Sequence, residues 1–210
     1  MDFSLYVITD RKIQAPRSNA EVVREAIAGG ASVVQLREKE VTTKVFLEEA
    51  LVLREITRAL GALFIVNDRV DIALAVGADG VHLGEEDLPL SHARRIAPTL
   101  LVGASCDTEE EARRLEALGA DYLGVGTVFP TATKKDAGEP IGLERLRRIK
   151  EAVRIPVVAI GGITLENVEE VLATGVDGVA VVSAVVGASS PYEAARAFRE
   201  KIDAFRRGRR

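Results

Sequence analysis

The feature that most constrains this chain is an alternation of short apolar runs with longer stretches of helical periodicity. Each run is rich in Val, Ile or Leu and is too short to form a helix. We predict eight strands from these runs, at residues 5–9, 33–37, 63–67, 80–83, 100–104, 122–126, 157–160 and 178–182. The stretches between them, such as 45–60, 109–118 and 143–153, carry apolar residues at intervals of three and four, which predicts amphipathic helices.

The boundaries between these segments also repeat. Ser18, Asp107 and Ser190 each lie three residues before a glutamate, a spacing typical of helix N-caps. Four tripeptides end a helix and lead into every second strand: Gly30-Ala31-Ser32, Gly77-Ala78-Asp79, Gly119-Ala120-Asp121 and Gly175-Val176-Asp177. Glycine suits the left-handed conformation that ends many helices. A boundary that recurs at every second strand indicates a regular architecture.

Eight strand–helix units in 210 residues average about 26 residues each, the size of a βα unit with short loops. Strands joined through helices run parallel, and eight of them close into a barrel. An open doubly wound sheet is the alternative, but no strand is followed by a GxGxxG fingerprint. We therefore predict an α/β protein with a single (β/α)8 TIM-barrel domain over residues 1–210, and a frayed basic tail at 206–210.

Composition limits the functions open to such a barrel. Lys and Arg number 28 and Asp and Glu number 32, and the resulting net charge of −4 argues against nucleic-acid binding. The longest apolar stretches, such as 178–188, fall short of the roughly 20 residues that a membrane-spanning helix needs. Because the N-terminal residues lack a basic signal region and Cys106 is the single cysteine, we expect a cytoplasmic protein.

The end of the second strand places polar side chains where a barrel has its active site. With a period of two, Gln35, Arg37 and Lys39 share the face opposite the apolar residues Val34 and Leu36. Cations directed into a barrel mouth need an anion, and phosphate suits both arginine and lysine. An internal ion pair with Asp68 or Asp87 is the alternative interpretation.

Asp68 and Asp87 follow neighbouring strands and are expected at the same rim. Two carboxylates beside phosphate-directed cations suit Mg²⁺, which takes oxygen ligands together with substrate phosphates. Taken singly, Asp68 could cap a helix and Asp87 could stabilise the turn before Pro89.

A second group of candidate residues follows strands five to eight. The long loop after strand six carries Thr131, Thr133 and Lys134, whose hydroxyl and ammonium groups can bind an oxyanion. Gly162 and Ser183 follow strands seven and eight, where barrels often bind phosphate. The mouth thus has two predicted anion zones, one formed by Arg37, Lys39, Lys134 and Mg²⁺ and the other by the glycines, the threonines and Ser183. Two zones indicate one bisphosphorylated or two phosphorylated small-molecule substrates.

Several other side chains have simpler interpretations. Ser105 ends strand five and could touch a substrate, although a lone serine more often caps a local turn. Cys106 is expected to fill space in the core, and His82 and His92 lack the spacing of metal ligands. Tyr6 and Tyr122 are core candidates.

Taken together, the motifs of the chain support a family resemblance. They are Gln35-Leu36-Arg37-Glu38-Lys39, Asn67-Asp68, residues 80–89, residues 130–136, Ile160-Gly161-Gly162-Ile163 and Val182-Ser183-Ala184. With these motifs the chain resembles the thiamine phosphate synthase family, and the resemblance extends over nearly the whole chain. The resemblance implies a (β/α)8 transferase that joins hydroxymethylpyrimidine diphosphate to a thiazole phosphate. The expected products are thiamine phosphate and pyrophosphate, by a dissociative route assisted by Mg²⁺.

The resemblance also implies roles for individual residues. Asp68 and Asp87 would hold Mg²⁺, and Arg37, Ser105 and Lys134 are the candidate catalytic residues. The pyrimidine diphosphate site would comprise Gln35, Arg37, Lys39, Asn67, Ser105 and Lys134. The thiazole phosphate site would comprise Thr131, Ala132, Thr133, Gly162, Val182 and Ser183.

Two alternatives to this function stay open. A thiazole tautomerase of the same superfamily would share the barrel, but such relatives tend to lose the acidic pair and to alter the lysine loop, and here both are intact. A non-catalytic barrel that binds a phosphorylated ligand could retain Gly162 and Ser183 without the acidic pair. Barrels of this size often pair, so a homo-oligomer is a further hypothesis.

Overall fold

The structure, a computed structural model, is a closed barrel of eight parallel strands, which confirms the predicted fold. It describes residues 1–131 and 139–208. The strands are β1 (Leu5–Ile8), β2 (Val33–Leu36), β3 (Leu63–Asn67), β4 (Gly80–Leu83), β5 (Leu101–Cys106), β6 (Tyr122–Val125), β7 (Val157–Ile160) and β8 (Gly178–Val181). Each strand pairs with the next along the chain, and β1 pairs with β8 to close the barrel.

Helices follow the strands around the outside of this barrel. They are α1 (Arg11–Gln14), α2 (Asn19–Ala28), α3 (Thr43–Leu60), α4 (Val70–Val76), α5 (Leu90–Ile96), α6 (Glu109–Ala117), α7 (Gly142–Ala152), α8 (Val168–Ala173), α9 (Ser183–Val186) and α10 (Pro191–Gly208). Ser18 forms the predicted capping box with Glu21, whereas α6 is capped by Thr108 and not by the predicted Asp107. In the described part of the chain, no helix is long and apolar enough to cross a membrane.

Apolar side chains form two separate cores because alternate strand residues point to opposite faces of the sheet. Val34 and Leu36 pack outward against the helices, as predicted for this face of β2. A smaller cluster fills the barrel interior and includes Tyr6, Val33 and Tyr122. The inward face of β2 therefore directs Gln35 into the barrel.

The recurring tripeptides of the sequence form one structural device at the N-terminal ends of the strands. We define the N-terminal rim by their last residues, Ser32, Asp79, Asp121 and Asp177. The three aspartates accept hydrogen bonds of 2.7 Å from backbone N–H groups at the beginning of neighbouring strands, at Phe64, Val102 and Val157. Ser32 forms the same contact with the N–H of Leu5 at 3.3 Å.

Each aspartate of the N-terminal rim also pairs with a cation from a helix. Arg54 of α3 lies 2.8 Å from Asp79, Lys150 of α7 lies 2.6 Å from Asp177, and Arg94 of α5 pairs with Asp121. The Gly-x-Asp pattern thus joins two strands and a helix at three places around the barrel.

The end of α10 differs from the predicted frayed tail. Residues 206–208 are the last turn of α10, and Arg206 donates to the Ser4 hydroxyl and to the Asp177 carbonyl oxygen. These bonds give the Arg206 guanidinium a place at the junction of β1 and β8. Arg209 and Arg210 lie outside the described residues.

Candidate active site

A cavity of about 140 Å³ lies inside the C-terminal end of the barrel. Five of the predicted site residues line it: Gln35, Arg37, Asn67, Ser105 and Val182. Gln35 and Asn67 are only 3% and 8% exposed, so their amides are held against the interior of the barrel. Ser105 lies within β5, because this strand extends to Cys106 and not to the predicted end at residue 104.

The two cations of β2 and its following loop have carboxylate partners. Lys39 Nζ lies 2.6 Å from Asp68 Oδ2, which is the ion pair considered as an alternative to a phosphate ligand. Arg37 lies 3.7 Å from Asp10 Oδ2, and not beside Asp68 or Asp87. The Arg37 distance is long for a direct hydrogen bond, so its guanidinium retains donors for a ligand in the cavity.

Asp68 and Asp87 are brought together at the rim, as predicted. Their carboxyl groups contact each other, and burial, followed by this contact with Asp68, raises the pKa of Asp87 above its usual value. The backbone N–H of Gly84 donates to Asp87 Oδ2 at 2.7 Å, which is the turn contact expected before Pro89. The predicted capping alternative for Asp68 is not seen, because Arg69 is the N-cap of α4 and forms no side-chain cap.

The backbone of Asp68 is in an uncommon conformation. Its φ of 63° is positive, and it is the one non-glycine residue in the described ranges with this property. Its N–H donates to the His82 carbonyl oxygen at 2.8 Å, which ties the end of β3 to β4. Positive φ at a non-glycine residue costs about 1–3 kcal/mol and is concentrated at functional sites.

This carboxylate pair fits a magnesium ion. Mg²⁺ is usually held by one or two carboxylates, with substrate phosphates and water completing its shell. Residues 1–131 and 139–208 contain no group of three or more His, Cys, Asp or Glu side chains arranged to hold a metal. Asp68 and Asp87 are therefore the candidate metal ligands that the structure brings together at this rim.

A second, larger cavity of about 360 Å³ lies beside the first. Four of the residues predicted for the second anion zone line it: Thr131, Gly162, Val182 and Ser183. Gly162 has a φ of 65°, and a Cβ atom there would lie 2.7 Å from Phe129 Cβ and from the Pro130 carbonyl oxygen. This position therefore admits only glycine without local rearrangement. The predicted residues Ala132, Thr133 and Lys134 lie outside the described residues.

The two cavities share part of their walls. The residues that line both are Ser105, Gly124, Ile160, Ala180 and Val182. A ligand in one cavity can therefore contact a ligand in the other across Ser105 and Val182. Two adjoining cavities are what a reaction between two small molecules requires.

Three functional candidates were missed by the sequence prediction. Tyr6, His82 and Tyr122 line the smaller cavity and form side-chain hydrogen bonds there. Glycines inside strands could have revealed them, because such glycines often mark a close approach by another group. A Cβ atom at Gly103 would collide with the Tyr122 ring, and one at Gly124 would lie 2.9 Å from His82 Cε1.

Cys106 takes no part in either cavity. It is 5% exposed and packs in the outer core, as predicted for a space-filling residue. Burial raises the pKa of its thiol to about 12, so the nucleophilic thiolate is scarce at neutral pH.

Comparisons with known proteins agree with these features. A family model described as thiamine monophosphate synthase matches residues 5–185. The thiamine-phosphate synthase of Moorella thermoacetica is 53% identical, over 95% of this chain and 96% of the relative. That of Pyrococcus furiosus is 54% identical, over 95% of this chain and 94% of the relative. A solved thiamine phosphate pyrophosphorylase from Pyrococcus furiosus superposes with a TM-score of 0.91 at 52% identity, covering 97% of this chain and 96% of that one.

Proposed function

The chain belongs to the thiamine monophosphate synthase family, and on that premise we propose that it synthesises thiamine phosphate. It joins 4-amino-2-methyl-5-hydroxymethylpyrimidine diphosphate to 4-methyl-5-(2-phosphoethyl)thiazole and releases pyrophosphate, or it uses the carboxylated form of this thiazole and releases CO2 as well. The observation that carries this proposal is the pair of cavities that meet at Ser105 and Val182. We also propose that the protein works in the cytoplasm and that copies of the chain associate with each other.

In this proposal the smaller cavity takes the pyrimidine. Gln35 and Asn67 offer amide donors and acceptors to the ring, in a pocket otherwise lined by apolar and aromatic groups. The diphosphate extends to the rim, where Arg37, Lys39 and Lys134 supply positive charge. Lys39 already lies beside Asp68, so its ammonium group can bridge this carboxylate and a phosphate oxygen.

The thiazole phosphate occupies the larger cavity. Thr131, Ala132, Thr133 and Ser183 offer hydroxyl and backbone donors to its phosphate. Gly162 lets the backbone after β7 lie close against the backbone of the loop after β6, since a side chain there would meet Phe129 and Pro130. Val182 belongs to both cavities and packs between the two rings.

The chemical step is a dissociative substitution at the exocyclic carbon of the pyrimidine. The carbon–oxygen bond breaks, its electron pair leaves with pyrophosphate, and the thiazole nitrogen then donates the pair that forms the new carbon–nitrogen bond. Arg37, Ser105 and Lys134 stabilise the negative charge that grows on the leaving oxygen. A magnesium ion held by Asp68 and Asp87 would neutralise part of the diphosphate charge.

The test is an assay of pyrophosphate release and thiamine phosphate formation with each substrate alone and with both together, with and without EDTA. We expect turnover only when both substrates and Mg²⁺ are present. Conversion of the carboxylated thiazole phosphate without coupling would instead indicate a thiazole tautomerase. Binding of both substrates by calorimetry, without turnover, would indicate a non-catalytic barrel.

A further inference from the structure

A continuous path of side-chain hydrogen bonds crosses the barrel interior from β2 to β5. Gln35 Nε2 lies 2.7 Å from the Tyr6 hydroxyl, which lies 2.9 Å from the Tyr122 hydroxyl. The Tyr122 hydroxyl lies 3.1 Å from His82 Nδ1, and His82 Nε2 lies 2.9 Å from Ser105 Oγ. The path thus ends at the serine that both cavities share.

The middle of this path is shielded from water. Tyr6 is 2% exposed and Tyr122 is fully buried. Burial raises the pKa of both phenols above the usual tyrosine value, so both stay neutral at physiological pH. Each hydroxyl therefore has one proton to donate, and the direction of one hydrogen bond determines the direction of the next.

The amide of Gln35 sets that direction, because its nitrogen is a donor only. Tyr6 accepts from Gln35, and its own proton goes to Tyr122, which is its other hydrogen-bond partner among the described residues. Tyr122 then donates to Nδ1 of His82, which must be unprotonated at this nitrogen. The imidazole consequently carries its proton on Nε2 and donates it to Ser105.

Two glycines make room for the path. A Cβ atom at Gly103 would collide with the Tyr122 ring, and one at Gly124 would lie 3.3 Å from His82 Nε2. Gly103 is paired with both His82 and Tyr122 in the sheet register, so the two rings approach each other over a position that carries no side chain.

We propose that Tyr6, Tyr122 and His82 are positioning residues that hold Ser105 as a hydrogen-bond donor. The Ser105 oxygen accepts from His82, so its own proton points into the space where the two cavities meet. Ser105 then donates a hydrogen bond to an acceptor atom that gains negative charge, and it does not act as a base. Only the identity of this acceptor, an oxygen of the leaving diphosphate, rests on the proposed function.

The direct test is the protonation state of His82, measured by nitrogen NMR on ¹⁵N-histidine-labelled protein. The chain has two histidines, and the variant His92→Gln assigns the signals because His92 is exposed on α5. We expect a neutral His82 ring with the proton on Nε2. A proton on Nδ1, or on both nitrogens, would overturn the proposal, since Ser105 would then donate to the ring or Tyr122 would accept from it.

The variant Tyr122→Phe tests the path itself, because it removes the donor to Nδ1 and keeps the ring that packs over Gly103. We expect the Nε2-protonated form of His82 to become a smaller fraction of the population in the NMR spectrum. We also expect kcat to fall about tenfold, with little change in KM for the thiazole phosphate. Tyr192→Phe, the same change on α10, is the control and should alter neither signal nor rate.

An unchanged His82 signal in a folded Tyr122→Phe protein would contradict the proposal. The NMR readout needs no turnover, so it separates this inference from the proposed function. If His82 has the expected form but no thiamine phosphate is made, the orientation of Ser105 stands and the assigned reaction fails.

Discussion

At the N-terminal rim, Asp79, Asp121 and Asp177 each accept a strand N–H and pair with a cation, whereas at the opposite end Asp68 and Asp87 contact each other. We call this opposite end, with its two cavities, the C-terminal rim. The first arrangement satisfies its carboxylates within the protein. The second leaves two carboxyl groups in contact in a partly buried place, and Lys39, which pairs with Asp68, offsets only part of their repulsion, because the pKa of Asp87 is still raised. The same residue type therefore bonds strands and helices together at one end and leaves two carboxyl groups in contact at the other.

The largest expected effect is on turnover at the C-terminal rim. We expect Asp87→Asn to lower kcat at least about 10²-fold, because one of the two carboxylates that suit Mg²⁺ is lost. The melting temperature should stay the same or rise, since the amide no longer repels Asp68 and still accepts from Gly84. Initial rates of pyrophosphate release and thermal unfolding measure both quantities. Turnover like that of the parent protein would remove Asp87 from the site.

The same aspartate-to-asparagine substitution at the N-terminal rim should lower stability and leave turnover unchanged. Asp121→Asn removes the charge that pairs with Arg94, and its neutral amide oxygen is a weaker acceptor for the Arg94 and Val102 donors that share Oδ2, so we expect a loss of about 1–3 kcal/mol in the free energy of unfolding. The activity per folded molecule should not change, because Asp121 precedes β6 at the N-terminal rim and lines neither cavity. Urea unfolding and titrated enzyme assays test this. An Asp121→Asn protein with normal stability and reduced kcat would break the contrast between the rims.

The smallest expected effect is a difference in the pH dependence of the free energy of unfolding, measured without magnesium. Burial favours a higher pKa for Asp2, which precedes β1, but hydrogen bonds from Ser4 and Arg199 outweigh it, so the pKa of Asp2 is lowered from its usual 3.8. The stability that Asp2 contributes is thus complete above this value and is lost as the pH falls through the lowered pKa. The pKa of Asp87 is raised, so the repulsion between Asp87 and Asp68 is relieved as the pH falls.

Two single variants should therefore change the acid side of the curve of unfolding free energy against pH in opposite directions. Between about pH 6 and pH 3, Asp2→Asn should lose less stability than the parent protein and Asp87→Asn should lose more. Both differences should stay below about 1 kcal/mol, because both carboxylates are partly exposed. Urea unfolding at a series of pH values measures them. Parallel curves for the two variants would show that the carboxylates of the two ends titrate alike.

The features that sequence could predict are those with a local cause. The strands follow from their apolar runs, and the inward direction of Gln35 follows from the two-residue period of β2. The meeting of Asp68 and Asp87 follows from their places after neighbouring parallel strands. Each of these inferences uses residues that are close in the chain or equivalent in the repeat.

The features that sequence could not predict join distant parts of the chain. The hydroxyls of Tyr6 and Tyr122 meet across 116 residues, and their path to Ser105 depends on ring orientations inside the closed barrel. The contact of Arg37 with Asp10 depends on how the loop after β1 lies beside β2. Apolar periodicity carries no information on either contact, because both join polar groups from different segments of the chain.

The helix α10 has a consequence for how the molecule is made. Arg199 pairs with Asp2, and Arg206 reaches Ser4 and the Asp177 carbonyl, so α10 joins the strands at the seam between β1 and β8. During synthesis, the free edge of β1 has no neighbour on that side until β8 has emerged. An unpaired strand edge invites pairing with other chains. The nascent protein therefore keeps this edge open to aggregation until its last strand and helix are complete.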